Sequence, residues 1–305
     1  FDQAPRYLFR VSTPQSDGAS TDRFCARSRA ARHWAYSNGP TKDIFSLHRE
    51  EAAYALYRHL TWISFDADNL VSWKSSLLFA IQYMIYLHKR GKPNFPKLAL
   101  REIQLYILDT TVFPKGVFVR DLELIEEFRA SNRDLDNFAA NVRVRTRETH
   151  GDDTFYYGEY LSQGALEIED RCQMVTADAI ITQDLFSLRP EFEESMSGGS
   201  DGPGLRLASE VNRLRVRFND HIQPASLREL AAAQRIAMRF GRRWRVPVAA
   251  HLLALQPRGD GDEYILVMFR SPPVRSWLPL SLIRSSLDCT TDASEKVLST
   301  WRWSI

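Results

Sequence analysis

The stretch FYYGEYLSQG, residues 155–164, places one carboxylate, Glu159, among aromatic side chains. A polar and charged segment precedes it, and an apolar run follows it. Two earlier stretches have the same strand-like character and also carry a polar side chain. They are YLFRV, residues 7–11, with Arg10, and VSWKSS, residues 71–76, with Ser72. These three stretches organise the prediction of fold and function.

The composition predicts a folded protein with a substantial core. The chain has 305 residues, of which 44% are hydrophobic, and a net charge of +2. Such a charge does not favour nucleic-acid binding by bulk electrostatics. No apolar run approaches the roughly 18 residues of a membrane span, so we expect a soluble protein, cytoplasmic or secreted, without a membrane partner. The start of the sequence has no charged-then-apolar leader, so we expect any signal peptide to have been removed or never present.

The cysteine count leaves the redox state open. Three cysteines, at positions 25, 172 and 289, leave at least one free thiol in a monomer, and one disulfide or a reduced chain fits equally well. No cysteine or histidine spacing suggests zinc, so no metal is expected.

Hydrophobic periodicity predicts an alternation of strands and helices in the first two thirds of the chain. Ser75 or Ser76 is the candidate N-cap of an apolar helix that stops at Lys89-Arg90-Gly91. Residues 21–42 read as a loop with room for one helical turn, and 129–153 as an exposed loop or helix. The predicted strands are 7–11, 61–65, 70–73, 98–113 and at least one within 165–181, and the predicted helices are 44–60, 77–87 and 122–128.

A Gly- and Ser-rich segment, residues 195–204, predicts a flexible linker. It separates a first domain, residues 1–194, which contains all three stretches, from an α+β region of unknown role, residues 205–305. In that region we predict helices over 205–218 and 225–240 and strands over 264–269 and 297–303. The arginine run from Arg235 to Arg245 is typical of a solvated face, with anion or nucleic-acid binding as the alternative.

Each candidate site residue has a plain structural interpretation beside the functional one. Arg10 fits an edge strand facing water or a guanidinium presented to phosphate. Ser72 lies too early to cap the following helix, so its hydroxyl is free to brace a catalytic side chain. His59, like His48, fits a surface or satisfied core position better than a ligand. Glu159 is a surface carboxylate or a catalytic one.

Taken together and in this order, the three stretches resemble the arginine–serine–glutamate class of mono-ADP-ribosyltransferases, the pertussis-toxin-like enzymes. The arginine motif is YLFRVSTP at residues 7–14, the serine motif VSWKSS, and the glutamate motif GEYL at residues 158–161. A set of uncharacterised fungal proteins shares the same three stretches. Two departures stand out: the family's Ser-Thr-Ser is Ser-Trp-Lys here, and Tyr157 stands where arginine-modifying members carry Glu or Gln.

The resemblance implies an α+β fold with two bent antiparallel sheets around an NAD cleft and helices outside. NAD would be the substrate, with Arg10 binding it, Ser72 positioning Glu159, and Glu159 acting as the catalytic carboxylate. Aromatic surface for nicotinamide would come from tyrosines 83, 156, 157 and 160. The expected function is transfer of ADP-ribose to a protein or nucleic-acid acceptor. An NAD glycohydrolase and a catalytically inactive interaction module are the alternatives.

Overall fold

The structure, a computed structural model, divides into two compact units by the contacts within the chain. The first contains residues 1–177 and 199–214, and the second contains 178–198 and 215–305. The residues that the structure describes are 4–16, 18–26, 42–63, 68–90, 97–146, 158–197, 207–220, 222–259 and 262–270.

A six-stranded antiparallel sheet forms the centre of the first unit, in the order β6-β7-β4-β1-β5-β9. Its strands are rich in the β-branched and aromatic residues that favour a pleated, half-buried surface. The α+β class predicted from the sequence is therefore confirmed. The strand bounds are β1 Tyr7–Ser12, β4 Leu70–Lys74, β5 Gln104–Asp109, β6 Val119–Arg120, β7 Glu159–Gln163 and β9 Cys172–Thr176.

A smaller antiparallel sheet of three strands, in the order β2-β3-β8, also belongs to the first unit. Its strands are β2 Ala19–Ser20, β3 Phe24–Ala26 and β8 Leu166–Glu167. The loop predicted from residue 21 was wrong at β3, because Cys25 is an apolar strand residue buried in the core despite its polar surroundings. The strand predicted over 98–113 was too long, since only β5 at its centre pairs with neighbours.

In the part of the first unit that the structure describes, four longer helices accompany the main sheet: α1 Arg49–Leu60, α2 Leu77–Arg90, α3 Asp121–Phe128 and α4 Arg133–Thr146. Ser76 caps α2, because its hydroxyl accepts the Phe79 amide at 3.2 Å, as predicted. Thr61 and Trp62 form a turn after α1 rather than the strand predicted over 61–65. Their amides bond back to carbonyls of the last helical turn.

The sheet has an apolar cluster on each face, and strand alternation decides which residues join which cluster. On one face, Leu70 and Leu161 pack with Ala52 and Leu56 of α1. On the other, Val71, Trp73 and Tyr160 pack with Cys25 of the small sheet. Neighbouring residues of β4 and β7 therefore serve opposite faces.

The described part of the second unit is helical. Short helical turns cover 178–188, followed by α5 Glu191–Ser197, α7 Leu227–Ala237, α8 Arg242–Leu253 and α9 Glu263–Arg270. The division between the units falls within α6, Leu207–Asn219. Residues 264–269 are helical, so the predicted strand was wrong; apolar runs of this length fit either structure. The proposed strand over 297–303 lies outside the described residues.

The predicted linker begins in a helix. Ser195 is buried within α5, while residues 198–206 lie outside the described part of the chain. Across the described ranges, no helix combines the length and apolarity needed to cross a bilayer.

Candidate active site

Glu159 is the first residue of β7, and its partner across the sheet is Lys74, the last residue of β4. Directly opposed residues in an antiparallel pair project from the same face, so the two side chains meet without any loop movement. The Lys74 ammonium forms an ion pair with the Glu159 carboxylate. The two side chains are only 13% and 14% exposed, so water screens the pair weakly.

Ser72 projects from the same face as Lys74, because it lies two positions before Lys74 along β4. Its hydroxyl lies close enough to the Glu159 carboxylate to lower the pKa of that carboxyl. The same oxygen lies 2.8 Å from Nε2 of His59. Ser72 therefore lies between His59 and Glu159, and its predicted role in positioning Glu159 stays a prediction.

His59 extends this contact into the interior. It lies in the last turn of α1, is fully buried, and directs Nδ1 at the Asp68 carboxylate, 2.9 Å from Oδ1 and 3.0 Å from Oδ2. Asp68 is also buried and accepts the Leu70 amide at 3.1 Å, which fixes it at the start of β4. Five side chains therefore follow one another in a row, called the polar line below: Asp68, His59, Ser72, Glu159 and Lys74.

The Asp68 end of the polar line fixes one donor. Asp68 is a carboxylate acceptor, so Nδ1–H of His59 donates to it. The Ser72 hydroxyl carries a single proton, and both the Glu159 carboxylate and Nε2 of His59 are placed as acceptors for it.

The pKa of the Glu159 carboxyl lies below its ordinary value, although burial, the largest influence, raises it. The Lys74 ammonium outweighs burial through its charge and hydrogen bond, and His59 and Ser72 lower the pKa further. Glu159 is therefore ionised at neutral pH in a site that excludes much of the solvent. This is the form that can stabilise a developing cation.

The backbone before Glu159 is fixed by a close approach. Gly158 has a φ of +64°, and a Cβ built there would lie 1.9 Å from the Ser75 hydroxyl oxygen. The Ser75 amide donates to the Gly158 carbonyl at 2.8 Å. Only glycine meets both conditions, so the entry to β7 is tied to the end of β4.

Arg10 meets Ser72 through the main chain. It shares the opposite face of the sheet with Tyr106, its partner on β5. Its guanidinium donates to the Ser72 carbonyl at 3.0 Å and to the Ser20 hydroxyl at 3.4 Å. The residue is 9% exposed. These contacts show Arg10 bracing β4 behind Ser72; its predicted contact with NAD stays a prediction.

The predicted aromatic residues separate in the structure. Tyr160 is buried on the face opposite Glu159, beside Trp73, so the expectation that it offers a stacking surface at Glu159 was wrong. Strand alternation is the reason, since adjacent residues point to opposite faces. Tyr83 lies on α2 among rings: its centroid is 5.9 Å from both Phe79 and Trp62. Tyr156 and Tyr157 lie outside the described residues.

Sequence reasoning missed His59, Asp68 and Lys74 as site residues. A signal existed for His59, because it follows Ala52 and Leu56 at helical spacing and so falls on the apolar stripe of α1. A histidine in that stripe needs a polar partner inside the fold. Among the described residues, no group of three or more His, Cys, Asp or Glu side chains is arranged to hold a metal ion.

Comparison with known proteins adds a family assignment. A family model described as a domain of unknown function, DUF7587, matches residues 3–164, which is more than half of the chain and includes the whole polar line. No curated protein matches the chain, and no solved structure does. The protein belongs to the DUF7587 family.

Proposed function

We propose that this protein is an NAD-dependent mono-ADP-ribosyltransferase whose catalytic carboxylate is Glu159. The observation that carries the proposal is the polar line, which holds an ionised, weakly solvated carboxylate against a serine hydroxyl. The proposed fold is the ADP-ribosyltransferase fold, with NAD between two bent sheets. The resemblance of the three sequence stretches supports it, as do the two antiparallel sheets of the first unit.

In the proposed reaction, the bond between the ribose C1′ and the nicotinamide nitrogen breaks, and nicotinamide leaves with the electron pair. The ribose acquires oxocarbenium character, and a nucleophile of the acceptor then bonds to C1′ and releases a proton. Glu159 accepts a hydrogen bond from the ribose 2′-hydroxyl and faces the positive charge. This contact is strongest in the transition state, so it lowers the barrier more than it tightens NAD binding.

Ser72 and His59 position the carboxylate in this proposal. The Ser72 hydroxyl donates to Glu159 and removes its rotational freedom, while His59, anchored by Asp68, fixes the hydroxyl. Arg10 supports the strand from behind through the Ser72 carbonyl. A preorganised electrostatic contact of this kind contributes about 2.7–4 kcal/mol to transition-state stabilisation.

The test is incubation of the purified protein with NAD and separation of the products by liquid chromatography. The proposal expects nicotinamide release together with a labelled macromolecule when a cell extract supplies acceptors. Nicotinamide with free ADP-ribose and no labelled acceptor identifies an NAD glycohydrolase. No nicotinamide under either condition, from protein shown to be folded, rejects both enzymes and leaves the interaction module.

A second function is favoured by one specific observation. Asp68, His59 and Ser72 have the contact order and distances of a serine-nucleophile triad, which performs acyl transfer. Two features count against it. Ser72 lies within a strand paired on β7, and the ionised Glu159 competes with His59 for the Ser72 proton.

A fluorophosphonate probe distinguishes the two functions, because it labels activated serines. Covalent labelling that disappears in Ser72→Ala would establish the acyl-transfer function. The ADP-ribosyltransferase proposal expects no labelling at Ser72, with a known serine hydrolase in the same tube as the positive control.

A further inference from the structure

Lys74 occupies the place where a catalytic carboxylate meets its cation. Its ammonium pairs with the Glu159 carboxylate and lies 5.2 Å from the centroid of the Phe79 ring. A carboxylate beside an aromatic face is an arrangement that binds cations, including ring cations with delocalised charge. The site is therefore built for a positive charge, and Lys74 supplies one from within the chain.

The Lys74 ammonium is the main influence that lowers the pKa of the Glu159 carboxyl, and His59 and the Ser72 hydroxyl lower it further. The ammonium thereby cancels the negative charge of Glu159. A ligand cation approaching Glu159 thus meets a carboxylate that is already neutralised.

The two partners of the pair differ in mobility. Glu159 follows Gly158, whose carbonyl accepts the Ser75 amide and whose Cα has no room for a side chain. Lys74 ends in a flexible four-carbon stem that swings without backbone movement. Displacement of the ammonium is therefore the low-cost way to expose the carboxylate.

We propose that Lys74 is an intrinsic competitor for Glu159, which a pyridinium cation must displace before the carboxylate can act. This inference rests on the proposed function and adds its regulation: the site is self-inhibited in the folded protein. It also defines the ligand class, which is a flat cation able to replace an ammonium between Glu159 and Phe79.

The test uses two ligands that share a ring and differ in charge, 1-methylnicotinamide and neutral nicotinamide. Their affinities are measured by calorimetry for the full chain and its variants. Lys74→Met removes the charge and keeps the length, Lys74→Gln is a polar second variant, and Lys74→Arg keeps the charge. Lys97→Met makes the same charge change at an exposed position before β5.

We expect Lys74→Met or Lys74→Gln to bind 1-methylnicotinamide at least tenfold more tightly than the unaltered protein. Nicotinamide affinity should change less than twofold, and Lys74→Arg and Lys97→Met should behave like the unaltered protein. Folding is checked by hydrogen exchange in β4 and β7. If a folded Lys74→Gln protein shows no gain for the cation, or no binding of it, the proposal is overturned.

The same variants are assayed for nicotinamide release from NAD. Tighter cation binding without release from any variant rejects the proposed transferase and keeps Lys74 as the competitor. Release from the unaltered protein, with no gain in cation binding on removing Lys74, rejects only the competitor. If both the transferase activity and the competition by Lys74 hold, nicotinamide release by Lys74→Met should rise at least tenfold.

Discussion

Glu159 in the first unit and Glu229 in the second are both shielded carboxylates bound by basic side chains. Glu229 accepts from Arg189 and Arg258, and its other oxygen accepts the Ser226 amide at 2.7 Å. The Ser226 hydroxyl accepts the Glu229 amide in return, which completes a capping box at the start of α7. Every contact of this cluster thus has a structural task.

Among the residues that the structure describes, the Glu159 side chain caps no helix. It begins β7 and joins its unit through the ion pair with Lys74 and a line of polar side chains. Burying such a line costs free energy that apolar residues would not require. A comparison of the two sites indicates when a buried ion pair points to function. It does so when the pair does not stabilise the local backbone, for example by capping a helix.

The largest expected effect is on stability, at Glu229. Glu229→Gln keeps the cap but leaves the shielded guanidinium of Arg189 without its counter-charge, which costs about 3–5 kcal/mol. Hydrogen exchange in α7 and α8 measures the loss. Glu193→Gln, an exposed change in the same unit, is the control. Unchanged protection in Glu229→Gln would place Glu229 outside the structural role assigned to it.

The second effect is on turnover, at Asp68. Asp68→Asn keeps the shape but replaces the carboxylate that holds Nδ1 of His59, so we expect nicotinamide release to fall roughly 10–10²-fold. The loss should appear in kcat more than in KM, a split that loss of packing alone would not produce. Asp134→Asn, an exposed change on α4, should alter neither quantity. Unchanged kcat in folded Asp68→Asn would contradict the role of Asp68.

The third effect is on the pH dependence of stability, at His251 of α8. Nδ1 of His251 lies 2.8 Å from the Pro247 carbonyl. Burial lowers the pKa of His251 to about 4, and the hydrogen bond to Pro247 opposes the shift. Because the unfolded chain takes up the proton first, stability is lost as pH falls from about 6.5 to about 4. For this half-buried ring we expect a loss of about 1–2 kcal/mol.

His251→Gln checks this expectation, because glutamine does not titrate. The hydrogen-exchange protection of α8 is measured at pH 7 and at pH 4.5. Between these two pH values, protection should fall less in the variant than in the unaltered protein. Equal pH dependence in both would assign the acid loss to other groups of the second unit.

Local patterns predicted the parts of the fold that depend on local sequence. The strand with Arg10, the strand-to-helix turn after Lys74, the Ser76 cap and the strand beginning at Glu159 all follow from alternation and capping. Residues 264–269 did not, because a short apolar run fits both strand and helix. The strand β3 was missed because Cys25 stands among polar residues, and one of the two pairings of β3, with β8, is distant in sequence.

The parts of the candidate site that depend on local sequence were also predicted. Ser72 and Glu159 were found because each lies in a recognisable motif. His59 and Asp68 were missed because their contact with Ser72 depends on how α1 packs on β4, a tertiary fact. Tyr160 was misplaced because a single-residue step along β7 changes the face of the sheet. Lys74 was noticed only as a departure from a motif.

The central claim is that Glu159 acts in catalysis and Glu229 in stability, and Glu159→Gln tests it most directly. Nicotinamide release per folded molecule should fall at least about 10²-fold, or about 2.7 kcal/mol, with a much smaller change in NAD affinity. Stability should fall by about 1–3 kcal/mol, because Lys74 loses its partner in a site that is not fully closed. Release from Glu229→Gln, measured on its folded fraction, should stay near that of the unaltered protein. Full release by folded Glu159→Gln would contradict the account.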